Sequence, residues 1–177
     1  MGNQWFAFKQ FTVYQDCTAM KVGTDGVLIG AWATCPEKGN ILDVGTGTGL
    51  IALMLAQRSA ESDIYGIDID FGAYEQAAHN FQQSPWSKRL HARHRSLQHY
   101  KTPGNHKFDL IISNPPYFNN TKCPNDNGRN LARQNKTLTL KDFFSYSVAI
   151  LKNSGKIALI IPATQIEDVV KNARDEI

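Results

Sequence analysis

The run "LDVGTGTGL" (Leu42–Leu50) decides how the rest of the chain is read. It closes a short apolar segment, "NILDVG" (40–45), of the length and character of a buried strand. Gly45, Gly47 and Gly49 then permit a left-handed backbone and the close approach of a ligand to the main chain. Directly after them, "TGLIALMLAQRS" (48–59) places Ile51 and Leu55, and Leu53 and Ala56, at helical spacing. A strand that passes through glycines into a helix aims the first helical amides across the strand tips, where an anionic or polar ligand can meet them.

Outward from this turn the alternation repeats. "DIYGIDID" (63–70) predicts a second strand, and "AYEQAAHNFQQS" (73–84) a helix ended by Pro85. "LHARHRS" (90–96) and "KFDLIIS" (107–113) predict two more strands. "LKDFFSYSVAIL" (140–151) reads as a helix, "GKIALIIP" (155–162) as a fifth strand, and 164–175 as the start of another helix. Upstream, "WFAFKQFTVY" (5–14) is an extended arm, and "DGVLIGAWAT" (25–34) a short helix capped by Thr24 or Asp25. Strands alternating with helices imply a mostly parallel sheet with helices on both faces. Right-handed crossovers make it a doubly wound α/β fold. The expected organisation is an arm and covering segment over 1–35 and one α/β domain over 36–177, compact as a whole. The fifth strand would leave an apolar edge unless residues 164–177 cover it.

The 177 residues suit one domain with a sizeable core. No apolar run approaches the length of a membrane span. The start "MGNQWFAFKQF" lacks the layout of a signal peptide, and Phe6 stands where myristoylation needs Ser or Thr. Cys17, Cys35 and Cys123 are odd in number and without metal-site spacing, as are the five histidines, so a reduced, cytoplasmic protein without a metal is expected. The net charge of +3 hides an asymmetry. Residues 71–141 hold eleven Lys and Arg against Glu75, Asp109 and Asp126, and they contain every histidine. A basic half of this kind suits a polyanion such as nucleic acid.

The glycine turn is not a dinucleotide fingerprint. G-x-G-x-x-G would need glycine at position 50, which is Leu50. Asp43, just before the loop, repels a pyrophosphate but suits a cationic amine or sulfonium, which favours S-adenosyl-L-methionine over a nicotinamide cofactor. Asp68, at the tip of the second strand, is spaced to accept from both ribose hydroxyls, while Asp70 is the better candidate to cap the next helix. The fourth strand ends in "SNPPYF" (113–118). Two prolines force the chain out of the sheet and fix its φ angles. Asn114 and the Pro115 carbonyl could then accept both hydrogens of an exocyclic amine, directing its lone pair at a methyl donor. Tyr117 or Phe118 would stack the base. Alignment and fixed dipoles suffice, without a strong general base.

"DVGTGTG", "GIDID" and "NPPYF" together resemble the class I S-adenosylmethionine-dependent amino-methyltransferases, with a Rossmann-like sheet. The run "FTVYQDCTAMKVGTDGVLIGAWA" (11–33) resembles the opening motif of bacterial enzymes that methylate N6 of adenine 37 in a valine tRNA. This likeness runs from about Phe6 to Pro162. It implies that Asp43, Gly45, Thr46, Gly47 and Gly49 surround the methionine end of the cofactor, with Asp68 at the ribose and Ile69 also in the cofactor site. It implies that Lys21, Gly23, Thr24 and Asp25 lie over the cofactor, and that Asn114, Pro115, Pro116 and Tyr117 hold the adenine. Ser96 stands where many relatives place an Asp that accepts from the cofactor's adenine, with Leu97 next to it in the expected cofactor site; a hydroxyl accepts more weakly. Arg133, in "NLARQN", is the candidate for an RNA phosphate. The family's final strand pair is expected to be missing, and a monomer is expected.

Other readings remain at this point. Release-factor methyltransferases, which modify a glutamine amide, also carry NPPY, but behind a helical N-terminal domain. A non-catalytic RNA-binding relative would not need an intact Asn114–Tyr117. A dehydrogenase is disfavoured by Leu50 and Asp43. Trp86 is expected to be a packing anchor, Phe143, Phe144 and Tyr146 to be core, and 119–139 to be a long substrate-binding loop.

Overall fold

The computed structural model describes residues 3–18, 20–102, 106–115 and 138–176. The arm is an antiparallel hairpin, β1 (Trp5–Ala7) and β2 (Thr12–Tyr14), with Trp5 opposite Tyr14. Helix α1 (Thr24–Trp32) follows. The sheet contains β3 (Asn40–Val44), β4 (Asp63–Asp68), β5 (Leu90–His94), β6 (Phe108–Ser113) and β7 (Leu151–Leu159), in the spatial order β5-β4-β3-β6-β7 and parallel throughout. Its helices are α2 (Leu50–Arg58), α3 (Phe71–Gln83), α4 (Leu140–Ile150) and α5 (Ile166–Glu176). From β3 the chain winds outward through β4 to β5. It then returns to lay β6 along the opposite side of β3, so the order reverses between β3 and β6. Ligands bind beyond the strand ends at such a reversal.

Period-two alternation splits the core between the two sheet faces. Ile41, Ile64, Leu110 and Ile112 pack with Leu53 and Leu55 of α2, Phe81 of α3 and Ile29 of α1. Phe11 and Val13 of the arm belong to that same cluster, so the hairpin is built into the core of the sheet. Leu42, Val44, Ile67 and Ile111 face the other way, onto Leu140, Phe143 and Phe144 of α4. Helix α5 adds Val169 and Ala173 to this second cluster, which answers how residues after the last strand cover it on that face. Trp86 stands edge-on to Phe11, 5.7 Å between centroids, as an anchor for the arm.

Three expectations change. Helix α1 is capped by the extended Gly23 without a side-chain bond, because Thr24 and Asp25 already lie in its first turn. Strand β7 begins at Leu151, four residues early. The Asp109 carboxylate draws the Lys152 ammonium to 2.8 Å across the strand pair, and the ladder shifts register between Phe108 and Leu110 to admit the extra residues. Tyr146 is 39% exposed rather than core, on the outer side of α4 from Phe143 and Phe144. Asp70 caps α3 as expected, accepting from the Ala73 amide at 2.8 Å. No helix among the described residues is long and apolar enough to cross a membrane.

Candidate active site

The glycine turn sits at the reversal point, and its glycines serve different ends. Gly45, Gly47 and Gly49 all have positive φ, at 71°, 56° and 81°. A Cβ on Gly45 or Gly47 would meet nothing within 4 Å, so these two border open space. A Cβ on Gly49 would meet Phe81 Cε1 at 2.5 Å; this glycine is required for helix packing as well as for its φ. The amides of Gly45 and Thr46 both donate to the Ile67 carbonyl, at 2.9 and 3.0 Å, which ties the turn to β4.

Two carboxylates flank the turn. Asp43 is fully buried. Its Oδ2 accepts from the Thr46 hydroxyl at 2.7 Å, and its Oδ1 has no partner among the described residues. Burial raises its pKa to about 7 against the opposing pull of the Thr46 hydroxyl and, more weakly, the Ala52 backbone amide. Asp68 is half-buried at the tip of β4. Its Oδ2 accepts from the Gly47 amide at 3.0 Å and its Oδ1 from the Asp70 amide at 2.9 Å. The first of these bonds joins the β4 tip to the turn, and each oxygen retains a lone pair for a further donor. Ile69, next along the chain, is 58% exposed.

The Asn114 corner lies immediately alongside. Ser113 is opposite Val44 in the β3–β6 pairing, and its hydroxyl donates to the Val44 carbonyl at 2.6 Å. The next residues of the two strands are therefore Asn114 and Gly45, at adjacent tips. Asn114 and Pro115 are half-buried. Pro116, Tyr117, Phe118 and Arg133, like most of the loop expected over 119–139, lie outside the described residues.

Above the turn, the segment after β2 is fastened by side chains of α3. The fully buried Asn80 accepts from the Tyr14 amide at 2.9 Å and donates to the Tyr14 and Thr48 carbonyls, each at 2.8 Å. Gln76 Oε1 accepts from the Cys17 amide at 2.8 Å. Gln15 Oε1 accepts from the Val22 amide at 2.8 Å, which folds 15–22 back toward Gly23. Lys21, Gly23, Thr24 and Asp25 are all exposed at this end of α1, and Lys21 Nζ reaches the Asn3 carbonyl at 3.5 Å.

Beyond β5, Ser96 hydrogen-bonds to His99 Nδ1 at 2.9 Å. The Leu97 side chain is buried in the second core cluster, so any part it plays at the rim falls to its backbone.

The methyltransferase small domain family model matches residues 22–172. A tRNA1(Val) (adenine(37)-N6)-methyltransferase from Parabacteroides distasonis is 52% identical over 99% of this chain and 74% of its own length. Its namesakes from Bacteroides thetaiotaomicron and Trichodesmium erythraeum are 47% and 45% identical, over 99% and 98% of this chain and 73% of each relative. The chain belongs to this methyltransferase family. Solved structures agree at the level of the fold. Pyrococcus horikoshii TYW2, crystallised with MeSAdo, gives a TM-score of 0.69 at 12% identity over 99% of this chain and 60% of its own. An S-adenosylmethionine-dependent O-methyltransferase from Thermotoga maritima gives 0.64 at 16% identity, over 89% and 51%.

For this methyltransferase, sequence reading found the glycine turn, the acid at the neighbouring tip and the corner beside them. It missed Asn80, Gln76 and Gln15. One signal was available: Gln76 and Asn80 sit four apart with Ala73, Ala77 and Phe81 on the buried face of α3, where a polar residue needs a partner.

Proposed function

We propose that this chain transfers the methyl group of S-adenosylmethionine to the exocyclic N6 of an adenine in tRNA, adenine 37 of a valine tRNA. The observation that carries this reading is the register of β3 on β6. Val44 opposite Ser113 makes Gly45 and Asn114 neighbours, so a methyl donor over the turn and an amine at the corner meet at adjacent tips.

The residues fit the cofactor. Open space stands over Gly45 and Gly47, and Asp43 keeps a buried oxygen unpartnered beneath them. Asp68 would accept from the ribose hydroxyls, with Ile69 against the adenine and Ser96 and Leu97 at its edge. Gly45, Thr46, Gly47 and Gly49 would line the methionine end over Asp43. Lys21, Gly23, Thr24 and Asp25 would close the site from above. When bound, the cofactor supplies an electrophilic methyl on a sulfonium centre.

Asn114 Oδ1 and the Pro115 carbonyl would accept the two amine hydrogens, which tips the nitrogen toward a pyramidal shape and aims its lone pair. Pro115 and Pro116 lock φ, so little reorganisation remains for the reaction itself. Tyr117 and Phe118 would stack the base, and Arg133 would take a phosphate. The attacking nitrogen becomes more acidic as its bond to the methyl forms and the thioether departs, so its proton can leave to water after displacement. A tRNA substrate places the enzyme in the cytoplasm.

The test is incubation of the chain with methyl-labelled S-adenosylmethionine and unmodified tRNA, followed by nucleoside analysis. Label in N6-methyladenosine is the expected result. Label in another nucleoside, or none in RNA, overturns the substrate assignment.

A further inference from the structure

The rim beyond β4 and β5 carries rings that the fold leaves open. Phe71, the first residue of α3, is 55% exposed. Its ring lies edge-on to His94 at 5.4 Å and 5.9 Å from Tyr74, and Tyr74 and His94 are themselves 5.9 Å apart. His94 is held by its Nε2 against the Ile69 carbonyl at 3.0 Å. The three rings therefore form one cluster with its place fixed from beneath. It sits at the end of β5, the edge strand of the sheet.

Two cations accompany it. Arg93 and Arg95 are exposed and form no ion pair among the described residues. Their guanidinium groups reach only main-chain carbonyls, Arg93 that of Ala92 at 2.9 Å and Arg95 that of His94 at 3.5 Å. The Arg95 amide donates to the Asp68 carbonyl at 3.0 Å, which places this residue on the same rim as the ribose acid. Alternation along β5 sends His94 toward α3 and Arg93 to the opposite face. A chain crossing this edge would meet a cation on either side of the rings. Of the nearby acids, Asp68 and Asp70 are engaged with backbone amides and Asp63 with His91, which leaves Glu75 on α3 and Asp16, beside Cys17 over Gly72, as the exposed carboxylates.

We propose that Phe71, Tyr74 and His94, with Arg93 and Arg95 at their flanks, form a stacking platform for unpaired nucleotides of the substrate RNA. The inference rests on the tRNA reading above and extends it to a surface away from the Asn114 corner. Any base can stack on a fixed ring, and free arginines hold the phosphates between successive bases. An apolar protein partner would instead have to strip water from both guanidinium groups without supplying an acid.

Binding of the full chain to two labelled RNAs tests this: an anticodon stem-loop with unmodified adenine 37, and a fully paired duplex of equal length. Phe71→Ala should weaken stem-loop binding roughly five- to a hundred-fold and leave its salt dependence unchanged. The duplex should respond little to that change. Arg95→Gln should weaken both RNAs and lower the salt slope by about 0.7–0.9. Phe71→Trp should restore what alanine removes, which a folding defect would not predict. S-adenosylmethionine affinity should be the same in all variants. Unchanged stem-loop affinity in Phe71→Ala overturns the platform. So does a loss confined to cofactor affinity, or a wild-type self-association that Phe71→Ala abolishes. Methyl transfer to the same stem-loop reads the proposed activity separately: tight, ring-dependent binding without adenine methylation would defeat that activity and leave the platform standing.

Discussion

The two halves of the strand-tip rim are held in different ways. On the turn side, contacts reach in from every neighbouring element. Ile67 and Asp68 take the amides of residues 45–47, Thr46 binds Asp43, and Asn80 of α3 grips the Thr48 carbonyl. On the corner side, the ties among the described residues are the Ser113 hydroxyl on the Val44 carbonyl and the Ile160 amide on the Ser113 carbonyl, and Pro115 adds a fixed φ. The turn is organised by side-chain and backbone hydrogen bonds from β3, β4 and α3, and the corner by fewer such bonds together with covalent constraint. The turn should therefore be sensitive to changes far away in sequence, and the corner to changes within itself.

The sharpest break in that contrast is at the corner. Asn114→Ala should cut turnover roughly a hundred- to a thousand-fold while cofactor affinity stays within a few-fold. Single-turnover transfer with cofactor titration checks it, and retention of more than about a tenth of the wild-type rate would remove Asn114 from the chemistry.

On the turn side the next effect concerns Asp43. Its folded pKa, raised to about 7, lies above the ordinary carboxylate value, so its stability contribution is fully present below about pH 4. That contribution is lost as pH rises through about 7, to a limit on the order of 4 kcal/mol. Asp43→Asn should flatten this part of the profile in denaturant titrations from pH 4 to 8. Parallel curves for the two proteins would show that the carboxyl is ionised throughout.

Gly49→Ala should cost about 3 kcal/mol, from left-handed strain together with the collision against Phe81. Gly47→Ala meets open space and should cost only about 1–2 kcal/mol, yet it should weaken cofactor binding more than its stability loss implies. Equal losses in thermal unfolding would contradict this division between packing and ligand approach.

The last change is the most diagnostic. Asn80→Ala leaves one amide and two carbonyls without their partner, about 1–3 kcal/mol for each that stays buried, and should loosen cofactor binding although Asn80 itself is fully buried. Calorimetric titration reads it directly; an unchanged affinity would mean that the clamp holds the arm and nothing more.

The same division explains what could be read from the sequence. Strands β3 to β6 fall within two residues of their expected ends, because buried parallel strands are short apolar runs with turn residues beyond them. The start of β7 was hidden: Asn153, Ser154 and Gly155 favour a turn, and they lie where the ladder slips from Phe108–Leu151 to Leu110–Lys156, beside an ion pair between Lys152 and Asp109, forty-three residues apart. Within the site, the glycines and Asp68 announce themselves through spacing. The Asn80 clamp does not, because an amide on a helix gains meaning only once Tyr14 and Thr48, sixty-six and thirty-two residues away, are brought to it.

That single amide has a consequence for how the molecule could be shortened. It grasps Tyr14 from both sides while holding the Thr48 carbonyl, so the opening hairpin is tied to the glycine turn. Trimming the first fourteen residues would take Phe11 and Val13 out of the core together with the Asn80 grip, so the loss would be felt by the sheet as well as by the turn.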